Sequence, residues 1–316
     1  MAQAAPNEAY RSQGGGAPNL PPLPPAPARA IVPLGVSSML RTTVRDCLFL
    51  NWALPAEALP APPKPLRYQI HSWQGRDWVF ASALLFHQDS LHFTALPRLR
   101  LGYPQLNLRL FVLDDEGIPS VLFRRMLMPA WVVPGTRLVT HQPASWARLS
   151  FPRPSKDLDG GGPWIWRVER KGVLQVRASE AAPMLGEGPR LGSWDQAVRY
   201  FQDRPRGYAL MSGELQKIAT EHPPVAVWPL KAEVEGADLL LRWLDLPPGA
   251  PLPALHSAWL CPEIPFVFEL GIVLRVPVAP APALAQPAAG RVVSFRWPSD
   301  SPGGRGTGVR RRRSSC

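Results

Sequence analysis

Forty prolines among 316 residues, beside 46% apolar residues and 12 tryptophans, describe a sizeable core carried with proline-rich stretches that cannot belong to it. The net charge of +11 is uneven, because residues 291–316 hold seven arginines and one aspartate (+6), leaving +5 for everything else, so a basic nucleic-acid-binding core is not indicated. Cys47, Cys261 and Cys316 are odd in number and far apart, which excludes a secreted disulfide framework and a thiolate metal site.

Residues 1–36 combine Gly14–Gly16 with Pro18, Pro21, Pro22, Pro24, Pro25 and Pro27, a composition expected to stay extended and disordered. The opening residues lack a basic stretch followed by an apolar one, and no uncharged apolar run reaches the ~18 residues of a membrane span. A cytoplasmic location without a membrane span is therefore expected. From Cys47 to Leu54 almost every residue is apolar, the pattern of a buried strand. Pro55 to Leu59 reads as one helical turn, and Leu66–Trp73 and Asp77–His87 as a hairpin about Gln74-Gly75-Arg76.

The most informative stretch follows. Leu106, Leu108, Leu110 and Val112 alternate with Asn107, Arg109, Phe111 and Leu113, and Asp114–Gly117 turns the chain back through Ile118–Met126. Asn107 and Arg109 thus share one face, either a solvated surface or the lining of a pocket. Arg124 and Arg125 on the return strand are expected to point one inward and one outward. Val132–Thr140, broken by Pro134-Gly135, is at best a short helix, and Trp146–Phe151, Trp164–Val168 and Val173–Ala178 are strands. Ser193 caps the one main helix, with Trp194, Ala197, Val198 and Phe201 on one face and Pro205 and Gly207 beyond its end. Tyr208–Met211 and Leu215–Thr220 form another hairpin. His222–Leu230 leads to a short helix or irregular strand, Val234–Trp243 reads equally as helical turn or strand, and Ala254–Trp259 and Pro265–Val276 are two strands.

Three domain-level segments result: a Pro/Gly-rich tail (1–36), one β-rich α+β domain (37–276), and a Pro/Ala linker with a basic tail (277–316). Arg310, Arg311, Arg312 and Arg313 could hold an anionic partner nonspecifically, and the PxxP spacings of the first tail could dock an aromatic groove.

Three blocks resemble a known family. Cys47-Leu-Phe-Leu-Asn-Trp-Ala-Leu-Pro55 is similar to an opening FLHW-x-VP strand, with Asn51 where histidine is usual. Pro104–Val112 resembles PELNVRTYV, with Gln105 for Glu. Phe201–Arg204 with Tyr208, then His222-Pro-Pro and Trp228-Pro-Leu230, resemble FLTERYRLY and HPPWPL. These blocks are similar to the YqjF-like uncharacterised bacterial family, domain of unknown function 2071, grouped with the acetoacetate decarboxylase-like superfamily. The resemblance covers roughly residues 38–275. It implies a twisted antiparallel sheet closing into a barrel around a cavity, and no established activity.

The decarboxylase relatives act through a Schiff-base lysine after a Gly-Phe-Pro turn. The segment that looks equivalent here is His141-Gln-Pro-Ala-Ser145, so Ala144 and Ser145 stand where paired lysines would be, and imine chemistry is not expected. The candidate ligand-binding residues are Gln105, Asn107, Arg109, Arg124, His141, Trp146 and His222, with Arg109 able to grip a carboxylate through its bidentate fork. His141 or His222 could instead do acid–base work in an enzyme. The six histidines have no HxH or HExxH spacing and no Gly-rich phosphate loop occurs, so neither metal nor cofactor is expected. The expected function is a small-molecule binder for a carboxylate or apolar acid, with a scaffold acting through its tails as the rival.

Overall fold

The computed structural model describes residues 39–140, 142–156, 162–186, 188–211, 213–246 and 254–269. The three-segment division has its boundaries at 36/37 and 276/277, which lie outside those residues, as do the PxxP segment, His141 and Arg310–Arg313.

The described chain is β-rich with few helices. Strand β1 (Met39–Pro55) runs into a single 3-10 turn at Ala56–Ala58, and β2 (Arg67–Tyr68), β3 (Ile70–Trp73) and β4 (Arg76–Phe93) follow. β5 (Leu101–Leu113) and β6 (Pro119–Met128) form the hairpin expected about Asp114–Gly117. Helix α1 (Val133–Thr140), short β7 (Ala144–Trp146) and β8 (Arg148–Ser150), and the β9 (Trp164–Glu169) and β10 (Val173–Glu180) hairpin come next. Helix α2 (Trp194–Gln202), β11 (Arg206–Met211), β12 (Glu214–Glu221), β13 (Trp228–Glu235), α3 (Ala237–Trp243) and β14 (Ser257–Glu269) complete the order.

Pairing runs β1-β4-β5-β6-β11-β12-β14, and β14 also pairs with β1, so seven strands form a closed ring. From β14 the pairing continues through β13, β10, β9 and β8 as a second layer. This explains why β1 carries apolar residues on both faces and why the outer face of β5 is a run of leucines. Outward residues such as Leu48, Leu50, Trp52, Leu106, Leu108 and Leu110 pack with Trp166, Val168, Leu174 and Val176 of the second layer and with Leu239 and Leu240 of α3. Inward residues such as Cys47, Phe49 and Phe111 pack with Val198, Tyr200 and Phe201 of α2. At about 25 cal/mol per Å² of apolar area, a core with two such faces is a strong driving force for the ring.

Several expectations change. The main helix, α2, is nine residues long, α1 is the short helix expected over Val132–Thr140, and α3 occupies the stretch that reads equally as helical turn or strand. Gly236, at φ 75°, is the reason the pattern there was ambiguous, since its left-handed backbone ends β13 and opens α3 within one residue. The two C-terminal strands are one, β14, running through Pro262 and Pro265. Pro262 is tolerated because its place opposite Asp46 is where the ladder skips, between the Arg45–Glu263 and Cys47–Cys261 partners, and Asp46 itself has φ 52°.

Helix α2 starts as expected. Ser193 Oγ accepts from the backbone N–H of Gln196, and Gln196 Oε1 accepts from the Ser193 N–H, a complete capping box. Among the described residues no helix is long and apolar enough to cross a membrane.

Candidate functional site

Inside the ring lies a cavity of about 140 Å³. Its wall along β5 is made by Gln105, Asn107 and Arg109, successive inward positions of one strand, so the face expected to carry polar groups is the cavity face. Helix α1 stands at one end, where Thr136 and Thr140 join Tyr103, Met126 and Met128. The C-terminus of α2 stands at the other, where Gln202 and Arg204 join Cys47 and Arg109.

The Arg end is electrostatically unbalanced. Arg109 and Arg204 are 8% and 5% exposed, and among the described residues neither has a carboxylate within ion-pair distance. Arg109 Nη2 donates to the carbonyl oxygen of Phe201 at 2.8 Å, at the negative end of α2. Arg204 Nη1 donates to Gln69 Oε1 at 3.0 Å. Both guanidiniums lie over aromatic rings: Arg204 is 4.2 Å from the centroid of Tyr200 and 4.7 Å from that of Phe111, and Arg109 is 5.4 Å from Phe49 and 5.5 Å from Phe111. The Nε atoms of both arginines are buried without a hydrogen-bond partner. Burial pushes Arg109 down to about 9, with the charge of Arg204 as the second cause, and burial lowers Arg204 as well. Arg109 is still protonated at neutral pH. Two like charges therefore share an enclosed, mostly apolar space, an arrangement that an incoming anion would relieve.

The Cys47 thiol also faces this end. Burial raises it well above the usual thiol range, with Cys261 beside it as the second cause, so it is a neutral thiol and not a poised nucleophile. His222 lines the cavity wall, its Nε2 3.2 Å from the Gln202 carbonyl oxygen and its Nδ1 2.9 Å from that of Pro223, with its ring centroid 4.8 Å from that of Phe266.

Of the residues singled out from sequence, Gln105, Asn107, Arg109 and His222 come together at the cavity, and His141 lies outside the described residues. Arg124 is a correction. The β5–β6 register jumps from Leu108–Arg125 to Arg109–Phe123, leaving Arg124 as a bulge, so Phe123 and Met126 both face inward while Arg124 and Arg125 both reach Asp245 outside. Trp146 is likewise outside, 58% exposed on β7. Arg204, Gln202 and Gln88 were missed as site residues. Arg204 belongs to the Phe201–Arg204 block, but nothing local says that the end of α2 stands at the cavity.

No lysine is among the described lining residues. Ala144 is buried against Met126, Met128 and Val133, and Ser145 pairs with Leu127. Lys217 lies on the outer side of β12, 3.5 Å from Glu116, while its neighbours Ile218 and Thr220 line the cavity. Lys64, Lys171 and Lys231 are exposed. The one acidic cluster among the described residues, Asp114, Asp115 and Glu116, is occupied by Arg206, which binds Asp114 at 2.6 Å and Glu116 at 2.8 Å.

Residues 41–261 match the family model DUF2071, described as an uncharacterized conserved protein. The chain belongs to the DUF2071 family. No curated protein matches this DUF2071 chain. Among solved structures it is similar to the enduracididine biosynthesis enzyme MppR complexed with the condensation product of pyruvate and imidazole 4-carboxaldehyde, at 13% identity and TM-score 0.50 over 83% of this chain and 99% of that one. It is also similar to an acetoacetate decarboxylase-like enzyme from Sphingomonas wittichii RW1, at 14% identity and TM-score 0.47 over 75% of this chain and 93% of that one. At 13% identity the likeness to MppR concerns the fold alone.

Proposed function

We propose that the strand ring is a barrel whose cavity binds a small organic anion, a carboxylate or apolar acid, held at Arg109 and Arg204. The observation that carries this reading is the pair of buried guanidiniums with no carboxylate partner among the described residues, each with an unpartnered Nε, in one cavity otherwise lined largely by apolar side chains. A carboxylate there would accept charge-assisted bonds from groups whose desolvation the fold already carries. Schiff-base chemistry is not part of this reading, because the amine it requires is missing from the described cavity wall.

Thermal unfolding with a panel of small carboxylates, matched amides and amines tests the proposal. Carboxylates should raise the midpoint in step with concentration, by about 2.7 kcal/mol of stability at a hundredfold excess over Kd, and the amides and amines should not. Arg109→Met should remove the shift. A panel in which no carboxylate acts, or in which Arg109→Met responds like the parent, would sink the idea.

A further inference from the structure

We infer that the bound acid carries a hydrogen-bond-accepting oxygen part-way along its chain, and that Asn107 receives it. This rests on the anion-binding reading above and concerns the same cavity.

The observation is a run of hydrogen bonds across three strands that leads to the cavity. Thr42 Oγ1 on β1 donates to Gln88 Oε1 on β4 at 2.7 Å. Gln88 Nε2 donates to Gln105 Oε1 on β5 at 3.4 Å, and Gln105 Nε2 donates to Asn107 Oδ1 at 2.7 Å. Each amide oxygen in the run is used as an acceptor, so what remains at its end is the Asn107 NH₂, which donates to no described group. Thr42, Gln88 and Gln105 are buried, and burying three polar side chains is costly unless they satisfy one another. Their joint effect is to fix which way the Asn107 amide faces: oxygen toward Gln105, donor into the cavity.

Position then defines the ligand. Asn107 is one inward step from Arg109, ~7 Å along β5, so an oxygen meeting it lies roughly three to five carbons from a carboxylate on Arg109. Past Asn107 the wall toward α1 is mixed, with Leu40, Leu91, Met126 and Met128 beside Gln105, Thr136 and Thr140. A void of about 140 Å³ is close to the ~150 Å³ engineered cavity that holds benzene, which keeps the ligand to roughly six to nine non-hydrogen atoms. The class is a short acyclic carboxylate with a mid-chain carbonyl or ether oxygen.

Isothermal titration of the full chain with matched pairs tests this. The ketones 4-oxopentanoate and 5-oxohexanoate are compared with 4-methylpentanoate and 5-methylhexanoate, in which the carbonyl oxygen becomes a methyl of similar size. At least one ketone should bind about tenfold more tightly than its partner, the worth of one hydrogen bond. Asn107→Leu should bring the pair to parity by weakening the ketone, and Arg109→Met should abolish binding of both. If Asn107→Leu fails to fold, Gln105→Met, which keeps Asn107 but removes the group that orients it, should narrow the same ratio. Equal affinity within both pairs for the parent protein would overturn the Asn107 assignment and leave anion binding standing. Failure of all four acids to bind would overturn the anion reading itself.

Discussion

A single buried guanidinium illustrates how function and stability pull apart in this chain. Arg109 contributes one hydrogen bond to the Phe201 carbonyl but holds its charge in an apolar enclosure beside a second cation. Arg109→Met removes that charge while keeping most of the side-chain volume. Without added anion the variant should melt at or above the parent, by roughly 1 kcal/mol or more, yet bind no carboxylate. A variant that is strongly destabilised would mean that Arg109 is a structural residue. Histidine titration gives a second prediction. His71 and His256 are both pushed down to about 4, chiefly by burial, and are therefore neutral in the folded chain at pH 7. The unfolded chain takes up their protons from about pH 6.5 downward, so the stability they supply is complete above ~6.5 and is lost as pH falls toward ~4. For His256, which is fully buried, this amounts to about 3 kcal/mol. Urea unfolding at pH 7.5 and pH 4.5 should show a smaller drop for His256→Gln than for the parent. Equal drops would place the acid sensitivity elsewhere.

Among the elements, the β5–β6 hairpin was the most legible, because period-two alternation about Asp114–Gly117 is a local signal. That Asn107 and Arg109 share a face could be read for the same reason, whereas whether that face meets solvent or a cavity could not, since it depends on the closing of the ring. The bulge at Arg124 could not, since one extra residue on one strand leaves no trace in composition and shows only when the partner strand is in place. Nor could the continuity of β14, whose prolines look like breaks until Asp46 is seen opposite one of them. Arg204 was hidden by distance: the bond linking Arg109 to the end of α2 spans 92 positions. Two substitutions separate what these elements do. At Gly207 an added Cβ would come within 2.6 Å of the Phe123 ring, which lines the cavity. Gly207→Ala should therefore push Phe123 into the void, costing about 1–3 kcal/mol and weakening carboxylate binding together. Ser193→Ala should cost about 1 kcal/mol by opening the capping box of α2. Its effect on affinity should stay within about twofold, because Phe201 anchors the far end of that helix among Phe80, Phe111 and Trp259. Melting curves and titrations on the two variants would show whether stability and affinity part in this way.

For the whole molecule, the family resemblance read from three blocks is matched by the family model over residues 41–261, whereas the ends of the independently folding unit remain a proposal. Limited proteolysis should leave a stable fragment near residues 37–276, and a fragment that melts far below the full chain would show that the flanking segments pack on it. Borohydride with acetoacetate should leave the intact mass unchanged, because no described lysine faces the cavity. The pairing of β14 with β1 has a consequence for how the protein comes into being. Asn51 and Ser257, which hydrogen-bond across that seam, are 206 positions apart. Joining ends so distant is slow, and until it happens β1 and β12 each offer an open edge to other chains. The enclosure therefore does not exist on a nascent polypeptide until the last ring strand has been made. Ligand capture, followed in real time during refolding of the full chain, should appear with the slowest phase and so act as a clock for closure of the ring.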